Sequence, residues 1–472
     1  VWDAKDERNI SKMKRITLYG GSFNPPTCAH RVNVEAALDR FDEVVVIPRG
    51  CGSDKPTTYD ISPRHRAVMV DLAFRDLPRV RVVHSDLERE VFTRTWELDE
   101  LYRPEGEVWH LVGTDLIRTA DGRCPIRDEW HRGEELWNSC RFAVTFRAGS
   151  PCADEHLPPR HQLMPSGPST ASSEVRDRVF KRLPYEDMVL PEIAAYIERW
   201  GLYRGRPPVS KSPFRPERLL PKVVADPENP EAVELAQRVE RARGDGPPNC
   251  VLVLGGDGMF MRSIRDDWKL RLPFYGLNLG HVGHFMNELG QGQDPLDFLK
   301  RQDLVIRQSP MLNVEWEDEA GRRHVELGVN DAWLRNAAGQ SAWIRLAVDG
   351  KERIANVSGD GVLVASALGS TGYAWNLGAT PLFDQPGLIV AGIVPNRFLN
   401  WTPVHEPVDA VVELTALDIA KRPVEAFIDS VPKGRARSMT VRASRTAAVE
   451  LVFTPEDDLD RKRERYQYPS KK

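Results

Sequence analysis

The stretch Ile16–His30, ITLYGGSFNPPTCAH, constrains this 472-residue chain more than any other. Ile16–Tyr19 is a short apolar run of the kind that forms a buried strand. Gly20 and Gly21 break it, Pro25 and Pro26 stiffen the turn, and a helical pattern begins near His30. A strand that feeds a helix through a tight loop brings backbone N–H groups and the positive end of a helix to one place, which suits a polyphosphate. Thr27 and His30, three residues apart, share one face of the first helical turn. A lone Gly pair or a lone His reads equally well as a tight turn with a cap. The complete string is more restrictive.

Length sets the number of cores. A chain of 472 residues exceeds what one ordinary core supports, so two or three domains are expected. The 41% apolar and 28% charged content is that of a globular protein. A net charge of −4 supplies no general attraction to nucleic acid or to an anionic membrane. No apolar run approaches the roughly 18 residues that span a bilayer. The six cysteines form no CxxC pair and no zinc-like spacing, and the first dozen residues lack the apolar core of a signal peptide. A reducing, cytoplasmic setting is expected.

Beyond the opening turn, His30–Arg40 has helical spacing and Glu43–Ile47 reads as a buried strand, so a parallel α/β sheet is expected. Lys55 and Arg66 follow, the second in the amphipathic stretch RHRAVMVDLAF. Thr93 and Trp96 lie at the start of another helix, where an indole serves either as core or as a stacking surface. Val108–Val112 is a strand that ends in Gly113-Thr-Asp115, and ligands of open α/β sheets bind at such ends. Ser172 and Ser173 precede a helix that carries Arg176, a combination that serves as an N-cap or as an anion site.

Together these stretches resemble the nicotinamide-nucleotide adenylyltransferase family over roughly Arg15–Tyr203. Gly21, Phe23, Pro25, Thr27 and His30 match the family's G-x-F-x-P-x-x-x-x-H signature, Gly113–Asp115 its G-T-D turn, and Thr170–Arg176 its I-S-S-T-x-I-R signature. Ala29 and Ala171 depart from the usual Gly and Ser. The resemblance implies a Rossmann-like nucleotidyltransferase domain over residues 13–205. It implies His30 as a catalytic group, with Gly21, Ser22, Phe23, Thr27, Lys55, Arg66, Thr93, Trp96, Gly113, Asp115, Ser172, Ser173 and Arg176 around the nucleotides. ATP is the implied co-substrate, with Mg²⁺ on its phosphates.

Residues 206–218, rich in Pro and basic side chains, read as a semi-rigid linker. A second α/β start follows. Cys250–Leu254 is a buried strand that runs into Gly255-Gly256-Asp257-Gly258, a bend at which backbone N–H groups can approach phosphate. Leu277–Glu288 (LNLGHVGHFMNE), Gly328–Leu334 (GVNDAWL) and Gly359–Tyr373 (GDGVLVASALGSTGY) come after it in that order. Alternating stretches such as Ser341–Val348 make the remainder β-rich.

In sequence and order these motifs resemble the NAD kinase family. The resemblance implies an α/β domain over 219–300 and a β-rich domain over 301–455. Asp257 becomes the base toward the adenosine-ribose 2′-hydroxyl, with Gly255, Gly256 and Gly258 beside phosphates. Asn330, Asp331, Asp360, Thr371 and Tyr373 are implied contacts of the dinucleotide. Asp331 stands for a usual Glu, Met259 for a small hydroxyl residue, and Phe427–Ser430 for an Asp-Gly-Gln-like turn. The mixed-charge tail over 456–472 reads as solvated.

The expectation is therefore a bifunctional enzyme whose partners are small nucleotides (ATP, a mononucleotide and NAD), with no nucleic acid and no membrane. The NAD kinase resemblance also implies a homo-oligomer. The first half would make a dinucleotide and the second would phosphorylate it at the adenosine 2′-position. A kinase-like half that senses NAD(P) without turning it over is the alternative.

Overall fold

The computed structural model describes residues 13–50, 61–146, 152–165, 167–168, 170–280, 283–290, 294–383, 385–396 and 401–467. The chain divides into two units, 1–208 and 209–472.

In the first unit the apolar runs form six strands. They are β1 (Arg15–Gly21), β2 (Glu43–Pro48), β3 (Val80–Val82), β4 (Glu107–Gly113), β5 (Phe142–Thr145) and β6 (His161–Leu163). All neighbouring pairs are parallel, in the order β3-β2-β1-β4-β5-β6. This is the doubly wound Rossmann order, and its direction reverses between β1 and β4. The crevice that a reversal opens at the strands' C-terminal ends therefore lies beside Gly21 and Gly113. Ile16, Leu18, Val45, Ile47 and Val108 fill one core cluster, which accounts for the near-continuous apolar character of β1 and β2.

The second unit begins at β7 (Lys211–Phe214), which pairs antiparallel with β11 (Leu304–Asp318). Part of the expected linker is thus an edge strand: Ser212 and Phe214 alternate inward, while Pro213 is tolerated at the sheet edge. Three parallel strands follow, β8 (Pro221–Ala225), β9 (Cys250–Gly255) and β10 (Phe274–Asn278). The β-rich part is not separate from them. The long strand Val431–Phe453 pairs in parallel with β10 through Leu451 and Val452, and antiparallel with β11 along most of its length. One sheet of fifteen strands results, and it runs across the expected boundary near residue 300 within one unit.

The charged tail is also more than a solvated run. Asp457, Asp458, Leu459 and Lys462 are buried, and Leu459 joins the core beside Phe260 and Phe285. The helix Leu459–Gln467 packs there because Asp458 ion-pairs with Arg307 at 2.6 Å and Leu459 supplies an apolar anchor. Its alternation of charge conceals these inward positions. No helix among the described residues is long and apolar enough to cross a membrane.

Candidate functional site

The first site grows from the turn after β1. Thr27 is the N-cap of the helix Cys28–Leu38, and its backbone N–H donates to His30 Nδ1 at 3.0 Å. His30 thereby fills the place that Glu usually takes in a capping box. Because Nδ1 accepts, the neutral ring carries its proton on Nε2. Phe23, held at φ 44°, is buried and packs edge-on against Tyr19 and His30, with ring centroids 5.3 and 5.1 Å away. That packing fixes the imidazole plane.

A second helix, Ser172–Lys181, docks its start on the same turn. Ser172 Oγ donates to the Pro25 carbonyl at 2.8 Å, Arg176 to the Asn24 carbonyl at 2.7 Å, and Thr27 Oγ1 to the Thr170 carbonyl at 3.3 Å. Two helix N-termini therefore meet, and a small cavity of about 50 Å³ opens between them. His30, Tyr19, Asn33, Thr145 and Thr170 line it. Converging N-termini supply backbone donors and positive dipole ends to one anion. Ser22 Oγ is buried with no hydrogen-bond partner, and Ser173 is exposed at the head of its helix.

The remaining residues implied by the resemblance take varied positions. Arg66 is fully buried and donates to the carbonyls of Ser22 and Arg49 at 2.7 and 2.6 Å. Those bonds tie the loop at Ser22 to the end of β2, since a guanidinium fan satisfies several carbonyls at once. Thr93 is bound through Oγ1 and N–H to Asp86, at 2.6 and 2.9 Å. Trp96 leans on the cluster of Phe142 and Trp137, with its indole N–H buried and without a partner. Gly113 caps the short helix Thr114–Ile117, which places Asp115 in its first turn at the crevice end of β4. Lys55 lies outside the described residues. The sequence reading missed Asn24, whose Oδ1 accepts from the buried Tyr203 hydroxyl at 2.7 Å and ties the turn to the end of the unit.

Among the described residues, one group in this unit has metal-ligand chemistry: Asp99, His110 and Cys140, whose ligand atoms lie within 4.8 Å of one another. Asp99 is already engaged by Arg103 and His110, and burial pushes the Cys140 thiol up to about 11, so it stays protonated. The trio is a satisfied polar patch in the core.

In the second unit β9 delivers Gly255 at φ 155°, where an added Cβ would lie 3.2 Å from Asp226. Gly256 and Gly258 face open space, and Asp257 opens the helix Asp257–Asp267. Its carboxylate accepts the backbone N–H groups of His284 and Phe285 at 2.7 and 3.2 Å. A cavity of about 240 Å³ lies over this turn. Asp257, Gly258, Asn330 and Thr371 line it, as do Arg262, Arg265 and Asp429, which the sequence reading did not select. The two arginines are three residues apart, a spacing that puts them on one helix face.

Asp429 organises the far wall. Its carboxylate accepts the N–H groups of Val329, Asn330 and Asp331, at 2.8, 2.7 and 3.3 Å. Asn330 Oδ1 is left buried, without a partner, at the cavity. Asp331 sits behind, 4% exposed, and burial together with the Asp429 charge pushes its carboxyl up to about 7. Asp360 is bonded to the Asn336 amide and Tyr373 lies edge-on to Trp333; neither belongs to the cavity lining. Of the expected dinucleotide contacts, the structure thus gathers Asn330 and Thr371 around Asp257.

The first unit is thus a doubly wound α/β domain with two helix N-termini at the β1 turn, and the second carries a glycine-rich turn beside a cavity. Comparison with known proteins finds similarities for each part. Residues 18–178 match the cytidylyltransferase-like family. The chain is 31% identical over 242 residues to the NAD kinase of Xanthomonas oryzae pv. oryzae (strain MAFF 311018), covering 50% of this chain and 93% of that protein. It is 34% identical over 209 residues to the NAD kinase of Brucella melitensis biotype 1 (strain ATCC 23456), over 43% of this chain and 79% of that one. A solved structure of yeast NADH kinase complexed with NADH aligns at a TM-score of 0.44 and 16% identity, over 54% of this chain and 89% of that one. The chain belongs to the NAD kinase family through its C-terminal half, and it carries a nucleotidyltransferase-like domain in front.

Proposed function

We propose that the chain makes NAD in its first unit and phosphorylates NAD in its second. The observation that carries this reading is the presence, in one chain, of two cradles with different chemistry beside the phosphate. One offers an imidazole N–H between two helix N-termini; the other offers a carboxylate at a helix N-terminus.

In the first reaction a 5′-phosphate oxygen of nicotinamide mononucleotide attacks the α-phosphorus of MgATP. The bond to the bridging oxygen breaks and pyrophosphate leaves. No protein nucleophile is needed, so catalysis rests on alignment and on stabilising charge. His30 Nε2–H and the N-terminal amides of the helices Cys28–Leu38 and Ser172–Lys181 supply that charge, while Asp115 is placed for a ribose hydroxyl. In the second reaction the adenosine 2′-hydroxyl attacks the γ-phosphorus of MgATP, its proton passes to Asp257, and ADP leaves. Arg262 and Arg265 balance the transferring phosphoryl group, and Asn330 Oδ1 accepts from the dinucleotide.

Consecutive use favours the amide substrate. A first unit restricted to nicotinate mononucleotide would yield the acid dinucleotide, which needs amidation before an NAD kinase could take it. The test supplies the full chain with MgATP and either mononucleotide and follows products over time. NAD followed by NADP from the amide supports the proposal; NAD without NADP would leave the second unit as a binding module.

A further inference from the structure

Lys462 lies on the helix Leu459–Gln467, inside the charged run at the end of the chain, yet it is only 9% exposed. Its ammonium donates to three backbone carbonyls of one loop: Gly283 at 3.3 Å, His284 at 2.9 Å, and Met286. The first two carbonyls belong to particular peptide groups. The peptide joining Gly283 to His284 carries the His284 N–H, which donates to Asp257 Oδ2; the next carries the Phe285 N–H, which donates to Asp257 Oδ1. Each peptide therefore has the ammonium at its oxygen and the carboxylate at its hydrogen.

A cation on a carbonyl oxygen polarises the amide and strengthens donation by its N–H, an effect that grows away from water. Two such bridges in parallel hold both oxygens of Asp257. A lysine that merely filled space would have no reason to address the two peptides that grip this carboxylate. We propose that Lys462 is a positioning residue for phosphoryl transfer: acting through the peptides 283–284 and 284–285, it fixes the orientation in which the Asp257 carboxylate receives a proton. This rests on the reading of Asp257 as the base.

The groups around the ammonium are defined. Asp257, Asp457 and Glu288 favour its charge, Arg465 opposes it, and Phe453 and the His284 backbone complete its surroundings. Burial outweighs the acids and brings Lys462 down to about 8. Arg262, Arg265 and Asp429 line the same cavity as Asp257. One limb follows for NADP formation: activity falls at alkaline pH as Lys462 loses its proton and the bridges weaken.

The test measures NADP formation by the full chain from NAD and MgATP, between about pH 5.5 and 9.5. Lys462→Met is expected to lower kcat about tenfold with KM for NAD changed far less. It should also remove the alkaline limb near pH 8. Lys462→Arg keeps the charge at all these pH values, so it should retain most of kcat and lose only that alkaline limb. If Lys462→Met does not fold, the arginine variant alone decides. A wild-type alkaline limb in the variants that fold, whatever their melting temperature, would overturn the proposal. Asp257→Asn separates the two levels: retained NADP formation overturns the base itself, whereas its loss together with an unmoved alkaline limb in the lysine variants overturns only the role of Lys462.

Discussion

The backbone N–H of Thr27 reaches Nδ1 of His30 at 3.0 Å, so the residue that starts the first helix also chooses which imidazole nitrogen carries the proton. Capping and charge stabilisation are here one hydrogen bond, read from its two ends. The ring lines the cavity where the helix Ser172–Lys181 begins.

His30→Ala removes that donor and leaves Thr27 Oγ1 and the Phe23 packing around it. Loss of one preorganised donor to a developing charge costs about 10²–10³-fold in rate. NAD formation from nicotinamide mononucleotide and MgATP should fall by that factor, with NADP formation from added NAD unchanged. A comparable fall in both activities would point to general unfolding instead.

Arg66 makes a different prediction. Its guanidinium is fully buried and donates through Nε and Nη2 to the Ser22 and Arg49 carbonyls. Arg66→Met leaves those acceptors unsatisfied, at a cost of about 3 kcal/mol. The melting temperature of the first transition should drop by several degrees, and ligand should recover part of it. A phosphate-contacting arginine would show the reverse: normal stability of the free protein with weakened ATP affinity.

The sequence disclosed the order of chemistry better than the division of space. β1, β2 and β9 were legible because a strand buried on both faces reads as a continuous apolar run. His30, Asp257 and Asn330 were legible from their motifs. The carbonyl contacts of Arg66 were not legible, because a motif does not record which backbone groups a guanidinium meets. Asp429 was hidden since its partners, Val329–Asp331, are about a hundred residues away and are backbone groups. The tail misled for a related reason. In LDRKRER only Leu459 and Lys462 point inward, and charge counting averages over that difference.

The glycines of the second cradle differ in kind. Gly255 sits at φ 155° against Asp226, so Gly255→Ala strains the backbone and should destabilise the unit by about 1–3 kcal/mol. A methyl added at Gly258 would meet nothing within 4 Å, and this glycine lines the cavity. Gly258→Ala should melt like the wild type and raise KM for MgATP or NAD about tenfold, by putting a methyl where a ligand oxygen belongs. Kinetic measurement beside calorimetry checks both; equal thermal losses in the two variants would refute the distinction.

Asp331 supplies a stability prediction whose sign depends on pH. An unfolded aspartate titrates near 3.9, whereas burial and the Asp429 charge bring this one to about 7. Between those values the folded chain binds more protons than the unfolded chain, so stability falls as pH rises through that interval. Above about 7 the full penalty of a buried charge beside a second carboxylate is present; below about 4 both states are protonated and it vanishes. Asp331→Asn keeps the shape of the protonated acid and cannot ionise. It should unfold like the wild type near the acid end and be more stable at pH 8, by on the order of 2 kcal/mol. Calorimetry of both proteins across that range checks it, and parallel curves would show that Asp331 ionises in the folded chain as freely as it does in water.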